Sequence, residues 1–128
     1  MIERYIKVRN DFTGYHRYAQ APEDVAFLRA WHRHHFLVAS EIPVEHNERD
    51  IEFFELQNEV QQWVEANYMS APRECASYLP GVWIQSCETF AEQLAMYLKD
   101  KFGVCYARVT VSEDGECEAT IVYRRDAE

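Results

Sequence analysis

The sequence lacks the features that mark membrane-spanning and secreted proteins. No apolar run approaches the roughly 20 residues that cross a bilayer, so a membrane protein is not expected. The first residues, Met1 to Ile6, alternate charged and apolar side chains and have no apolar core of the kind that a secretory signal needs. We therefore expect a cytoplasmic location.

Paired cysteines and an excess of positive charge are also missing. The 4 cysteines show no Cys-x-x-Cys spacing, which argues against a thiolate zinc site and favours free thiols in a reducing compartment. The chain has 13 Lys and Arg against 22 Asp and Glu, a net charge of −9, and no basic stripe interleaved with aromatic residues. Such a surface repels phosphates, so a nucleic-acid partner is not expected.

The sequence that remains is that of an ordinary globular protein. At 128 residues with 48% hydrophobic residues, the chain can bury its own core, and we expect a single domain over residues 1–128.

Hydrophobic periodicity predicts six regular elements. Residues 2–12 and about 31–44 alternate as strands, and residues 105–112 and 116–123 form a hairpin around Asp114-Gly115. A first helix begins near Asn47 or Asp50 and runs to about residue 67; a second is capped by Ser86 and ended by Gly103. This order predicts an α+β fold with a four-stranded antiparallel sheet and both helices on one face. The two free edges and the bare face invite self-association into a closed barrel.

Two histidines of the second strand point to a metal site. Side chains alternate along a strand, so His32 and His34 face the same way and can close on one ion. Zinc is bound by four ligands in structural sites, or by three protein ligands and a water in catalytic sites. His16 is the candidate third ligand, since the loop that contains Pro22 has room to bring it back to the next strand.

Other charged residues extend this candidate site. Glu113 ends the apolar face that Val109 and Val111 belong to, so a carboxylate is expected beside the sheet core. Arg17, Arg29 and Arg33 gather near the histidines, which would suit a small anionic ligand.

Five segments also follow one another in an order that resembles a known family. They are Phe-Thr-Gly-Tyr-His at 12–16, His-Arg-His-His-Phe at 32–36, Ile-Glu-Phe-Phe-Glu-Leu at 51–56, Ser-Cys-Glu-Thr-Phe-Ala at 86–91 and Val-Thr-Val-Ser-Glu at 109–113. Together they resemble the motifs of the tunnelling-fold (T-fold) family that includes 6-pyruvoyl-tetrahydropterin synthase and 6-carboxy-tetrahydropterin synthase.

This resemblance implies a site and an assembly. His16, His32 and His34 would hold Zn²⁺ as cofactor, and Glu113 would anchor the amino and ring N–H edge of a pterin or guanine. Glu88 is retained from the family's second-helix motif, and Arg33 stands where the family has glycine, so both are candidate ligand-binding residues. The ligand pocket would lie between subunits of a homo-oligomer, a tetramer or a hexamer that closes the barrel.

The chain departs from the family at its proton-transfer residues. Leu28 stands where a cysteine base is expected, and residues 73–79 contain no Leu-Asp-His segment. Cys75, Cys87, His35 and His46 are the candidates for replacing them, and the catalytic residues stay unassigned. Two functions therefore remain open: a zinc-dependent lyase of the 6-carboxy-tetrahydropterin synthase type, or a non-enzymatic binder that senses or sequesters a purine- or pterin-type ligand. A scaffold without metal or ligand is the third alternative.

Overall fold

One β-sheet of five strands organises the fold. The computed structural model describes residues 1–48, 50–75 and 77–126. Its strands are β1 (Arg4–His16), β2 (His32–Val44), β3 (Val82–Ile84), β4 (Tyr106–Glu113) and β5 (Cys117–Arg124). They lie in the order β3-β1-β2-β4-β5. Neighbours are antiparallel except β3, which runs parallel to β1.

Two α-helices, α1 (Phe53–Tyr68) and α2 (Cys87–Phe102), cover one face of the sheet. Their buried residues recur at three- and four-residue steps, as in Leu56, Val60 and Val64 of α1, and they join the inward residues of the strands in one core. The predicted α+β class with both helices on one face is therefore confirmed. The predicted ends of α2 are also confirmed, because the Ser86 side chain accepts from the Thr89 N–H and Gly103 adopts a left-handed φ of 63°.

The sheet differs from the four-stranded prediction by β3. This strand is only three residues long and all three are buried, so it shows no alternation. Its close approach to β1 depends on glycine: a Cβ added at Gly14 would lie 2.4 Å from Val82 Cγ2, and one added at Gly81 would lie 2.6 Å from the Thr13 carbonyl oxygen. β1 therefore continues through Gly14 to His16 instead of leaving the sheet after Phe12.

Two predicted element ends also need correction. The first helix begins at Phe53, and its N-cap residue Glu52 makes no side-chain capping bond. The Asp50 carboxylate instead accepts from the Glu45 N–H at 3.0 Å. Asp50 therefore stabilises the turn that precedes the helix. Three residues, 114–116, separate β4 from β5. Asp114 (φ 58°) and Gly115 (φ 75°) are left-handed, and the Glu116 N–H donates to the Glu113 carbonyl oxygen at 3.1 Å.

No helix of the described residues covers the opposite face of the sheet. This face presents alternating charged and polar residues of β1, β2 and β4, such as Arg9, Glu41 and Arg108, to solvent. The sheet does not close on itself, since β3 and β5 are its edges. None of the helices in the described part of the chain is long and apolar enough to cross a membrane.

Candidate functional site

The sheet register brings the three predicted histidines together. His16, the last residue of β1, lies directly opposite His32, the first residue of β2. His34 follows two residues along β2 on the same face. Ring centroids are 4.7 Å apart for His32 and His34, 5.3 Å for His16 and His32, and 6.1 Å for His16 and His34. Strand pairing, rather than the predicted loop, therefore places His16 beside the pair.

Each histidine ring is held through its Nδ1 atom. The Nδ1 of His16 lies 3.2 Å from the Ile84 carbonyl oxygen, and that of His32 lies 2.9 Å from the Ala30 carbonyl oxygen. The Nδ1 of His34 lies 2.6 Å from Asp114 Oδ2. Since these partners are acceptors, each neutral ring carries its proton on Nδ1 and keeps a lone pair on Nε2.

The protonation of His16 is biased by its surroundings. Burial lowers the pKa of His16 below its ordinary value, although the nearby Glu113 carboxylate acts in the opposite direction. The Nε2 atom of His34 is buried and has no hydrogen-bond partner among the described residues. A neutral ring protonated on Nδ1 is the form that binds a metal ion through Nε2.

The three histidine rings are not positioned as the ligands of a metal centre in this structure. Over residues 1–48, 50–75 and 77–126, no group of three or more His, Cys, Asp or Glu side chains stands ready to hold a metal ion. The donor set and the orientation of the Nδ1 atoms fit such an ion; the spacing of the rings would have to adjust.

Glu113 lies at the centre of the histidine cluster, at the end of β4. Its two carboxylate oxygens are 3.6 Å from His16 Nε2 and 3.7 Å from His34 Nε2. The thiol of Cys87, the first residue of α2, donates to Glu113 Oε1 at 3.4 Å. Burial, together with the Glu113 charge, raises the pKa of Cys87 to about 12, so this group is a thiol at neutral pH.

Asp114 was predicted only as a turn residue, and it does more than shape the turn. Its Oδ2 accepts from His34 Nδ1, and its Oδ1 accepts from the His35 backbone N–H at 2.8 Å. These two hydrogen bonds lower the pKa of Asp114, the backbone bond contributing most. The carboxylate is therefore ionised where it holds His34.

A cavity of about 770 Å³ opens over the histidines and Glu113. This volume lies within the range of small-molecule sites, about 300–1,000 Å³. Residues 85–88 at the start of α2 form one wall, residues 117–119 of the edge strand β5 form another, and Tyr18, Phe27 and Leu28 supply an apolar rim. The rim comes from the connection between β1 and β2, which was predicted as a loop and contains a 3₁₀ segment at Glu23–Arg29.

The other predicted ligand-binding residues are divided between two faces. Glu88 lines the cavity together with His16, His32, His34 and Glu113. Arg33 is exposed and lies between His32 and His34 on β2, so alternation turns it to the opposite face, and it is not among the cavity-lining residues.

Of the four candidates for proton transfer, only Cys87 lines the cavity. His35 bonds Asp11 on the far face at 3.0 Å. His46 is exposed beyond the other end of β2, near Asp50. Cys75 is buried with Tyr15 and Trp83 in a separate aromatic cluster.

The whole chain has the fold of known pterin enzymes. No protein-family model and no curated protein sequence matches it. Among solved structures, it is similar to Plasmodium vivax 6-pyruvoyltetrahydropterin synthase (TM-score 0.64, 15% identity, 97% of this chain and 99% of that one). A variant of that enzyme with alanine at a catalytic glutamate gives a TM-score of 0.65 at 16% identity, with 97% and 99% covered. The Plasmodium falciparum enzyme gives 0.58 at 14% identity, with 95% and 98% covered. The resemblance to the 6-pyruvoyl-tetrahydropterin synthase fold that the sequence motifs indicated is thus confirmed.

Proposed function

We propose that the chain binds a divalent metal ion, zinc, through Nε2 of His16, His32 and His34, and that it binds a pterin- or guanine-type ring beside that ion. The observation that carries this proposal is the common arrangement of the three rings: all line one cavity, and each has its Nδ1 on an acceptor. Metal-ligating histidines almost always donate their other ring N–H in this way.

The distances between the rings set the size of the adjustment that a metal ion would need. Two imidazoles on one tetrahedral zinc, with Zn–N bonds of about 2.0–2.1 Å, have ring centroids about 5 Å apart. The observed separations of 4.7, 5.3 and 6.1 Å need side-chain rotations and no change in strand register. Such an ion would supply Lewis-acid polarisation of a ligand hydroxyl group.

Glu113 is the proposed anchor for the ring. A carboxylate can accept from both the amino group and the adjacent ring N–H of a pterin or guanine. Because Glu113 already lies within 4 Å of His16 and His34, a ring bound to it would lie next to the ion. Glu88 lines the same cavity and is the proposed second acidic contact.

The reaction that this site favours is that of a divergent lyase of the 6-pyruvoyl or 6-carboxy-tetrahydropterin synthase type. The Plasmodium vivax enzyme has a glutamate as a catalytic residue, so a carboxylate can serve in this fold. Here the cavity contains Glu88, Glu113 and the Cys87 thiol. With its raised pKa, Cys87 is suited to donate a proton rather than to accept one.

One observation favours a second function, binding without turnover. Leu28 lines the cavity at the position where a thiol base was expected, and an apolar side chain cannot move a proton. A protein that keeps the ring anchor and the metal but lacks that base would hold its ligand unchanged.

The cavity is also the reason to propose a homo-oligomer. Edge strand β5 contributes residues 117–119 to the cavity wall, so a neighbouring chain paired with this edge would complete the pocket. We propose a tetramer or hexamer, and native mass spectrometry of the untagged protein measures it.

Metal analysis of protein purified without a His-tag tests the proposal. We expect about one zinc per chain after reconstitution, retained in His46→Ala and lost in His34→Ala. Less than about one tenth of an ion per chain, with none taken up on addition, refutes the metal site. Incubation with dihydroneopterin triphosphate then separates the two functions, since loss of its side chain excludes the pure binder.

A further inference from the structure

Asp114 connects the β4–β5 turn to the histidine cluster. Its Oδ2 lies 2.6 Å from His34 Nδ1, its Oδ1 accepts from the His35 N–H at 2.8 Å, and its own N–H donates to the His35 carbonyl oxygen at 2.7 Å. The turn is thereby fastened to β2 at the position where the strand carries its second cavity histidine.

We propose that Asp114 is the positioning residue of the metal site: its carboxylate holds His34 in the Nδ1-protonated form and directs Nε2 at the ion. This inference rests on the proposed function, since it assigns Asp114 a part in the same site. His34 differs from the other two histidines because its partner is a carboxylate, whereas His16 and His32 rest on backbone carbonyls. A carboxylate partner raises the basicity of the ligand nitrogen more than a neutral carbonyl does.

The hydrogen bonds explain why an amide would not serve equally well. The Asp114 carboxylate accepts two hydrogen bonds, one on each oxygen. The donors are the His34 Nδ1–H and the His35 backbone N–H. An asparagine has one acceptor oxygen. If that oxygen stays with His35, the amide NH₂ faces His34 Nδ1, and the imidazole accepts there only by moving its proton to Nε2. That tautomer has no lone pair on Nε2, the ring nitrogen proposed to face the ion.

The turn alone does not require a carboxylate at this position. Asp114 has a φ of 58°, a conformation that glycine adopts freely and that asparagine and aspartate tolerate better than other residues. Either Asn or Gly would therefore keep the turn. Backbone conformation therefore leaves the carboxylate at Asp114 unexplained, whereas the His34 Nδ1–H gives its second oxygen a donor.

The chain contains a matched control on the other face of the sheet. His35 Nε2 lies 3.0 Å from Asp11 Oδ2, so β2 carries two consecutive histidines that each contact an aspartate. Neither Asp11 nor His35 lines the cavity. Asp11→Asn removes the same charge from a histidine–aspartate pair without touching the site.

The experiment compares the wild type with Asp114→Asn, Asp114→Gly and Asp11→Asn. Co²⁺ affinity is measured by competition with a chelator, using the visible absorption of the bound ion. The His34 tautomer is measured in the metal-free proteins by ¹⁵N chemical shifts. We expect the Asp114 variants to bind Co²⁺ about 10–100-fold more weakly and Asp11→Asn to bind it as the wild type does. In Asp114→Asn the His34 proton should shift from Nδ1 towards Nε2.

The outcomes separate this inference from the proposed function. If the wild type binds Co²⁺ and both Asp114 variants bind it equally well, the positioning role is refuted and the metal site stands. If the wild type takes up no Co²⁺, both are refuted. A wild-type His34 protonated at Nε2 also refutes the inference, and because Asn and Gly both accept the backbone conformation, a folding defect in one variant leaves the other to decide.

Discussion

Replacing Gly14 with alanine tests whether β3 holds the site in place. The new Cβ would lie 2.4 Å from Val82 Cγ2, 2.6 Å from the Val82 carbonyl oxygen and 3.1 Å from Phe36 Cε2. Optimal carbon–carbon contacts are about 3.5–4.0 Å, so β3 would have to move by about 1 Å or more. Overpacking of this kind costs about 1–3 kcal/mol, and the reduced backbone entropy of alanine offsets only about 0.4–1 kcal/mol.

We therefore expect Gly14→Ala to lower the free energy of unfolding by about 1 kcal/mol. Urea unfolding followed by tryptophan fluorescence measures it, since Trp83 belongs to β3 and stacks on Tyr15 at 4.3 Å. Val82→Ala removes the Cγ2 contact and leaves the carbonyl contact. The double variant should therefore be more stable than the sum of the two single changes predicts, by about 0.5 kcal/mol or more.

The same substitution should weaken metal binding, because Ile84 at the end of β3 accepts from His16 Nδ1. Gly103→Ala is the control: its added Cβ meets nothing within 4 Å, although its φ of 63° costs about 1–2 kcal/mol. A loss of stability in Gly103→Ala without a loss of metal affinity is expected. The reasoning is refuted if Gly14→Ala is as stable as the wild type, or if its effect and that of Val82→Ala are simply additive.

Three further predictions concern the groups around the cavity. Glu113→Gln should weaken binding of a guanine- or pterin-type ligand by about 1–3 kcal/mol, measured by calorimetry; unchanged affinity removes Glu113 from the ring site. Iodoacetamide at pH 8 should label the exposed Cys105 well before Cys87, whose pKa of about 12 leaves little thiolate; equal rates by peptide mass spectrometry contradict this. The pKa values of Cys87 and Tyr106 are both raised to about 12 in the fold, so the folded state keeps protons that the unfolded chain releases from about pH 9. Stability should therefore fall as pH rises from about 9 to 12, and a flat urea midpoint over that range would be the contrary result.

Alternation along the strands predicted a large part of the site. It placed His32 and His34 on one face and Glu113 at the end of an apolar face, and all three line the cavity. The same periodicity turns Arg33 to the other face, so its assignment to the ligand followed the position of the family motif and not the geometry of the strand. Where one face is buried, a period of two fixes orientation.

Contacts between distant segments were not predictable in the same way. β3 is too short and too fully buried to show a period, so neither the role of Gly14 nor the Ile84 carbonyl could be anticipated. The Asp-Gly turn by itself explained an aspartate at position 114, so nothing in the sequence indicated its contact with His34. Its second role depends on the pairing of β4 with β2, which sets Glu113 opposite Phe36 and brings the turn over His34.

The charges of the cavity bear on which ligand suits the proposed site. Among the described residues that line it, Glu88, Glu113 and Glu118 are acidic and none is Lys or Arg. A divalent ion on three neutral histidines would be balanced by Glu113 and Asp114 close by, leaving no excess positive charge for a multiply anionic ligand. A pterin triphosphate would then need cations from a neighbouring chain, whereas a ring with an uncharged side chain would not. The proposed lyase function therefore depends on the proposed oligomer more strongly than the proposed binding function does. The described cavity lining of one chain contains the proposed ring anchor and the proposed metal ligands but no Lys or Arg to neutralise phosphate.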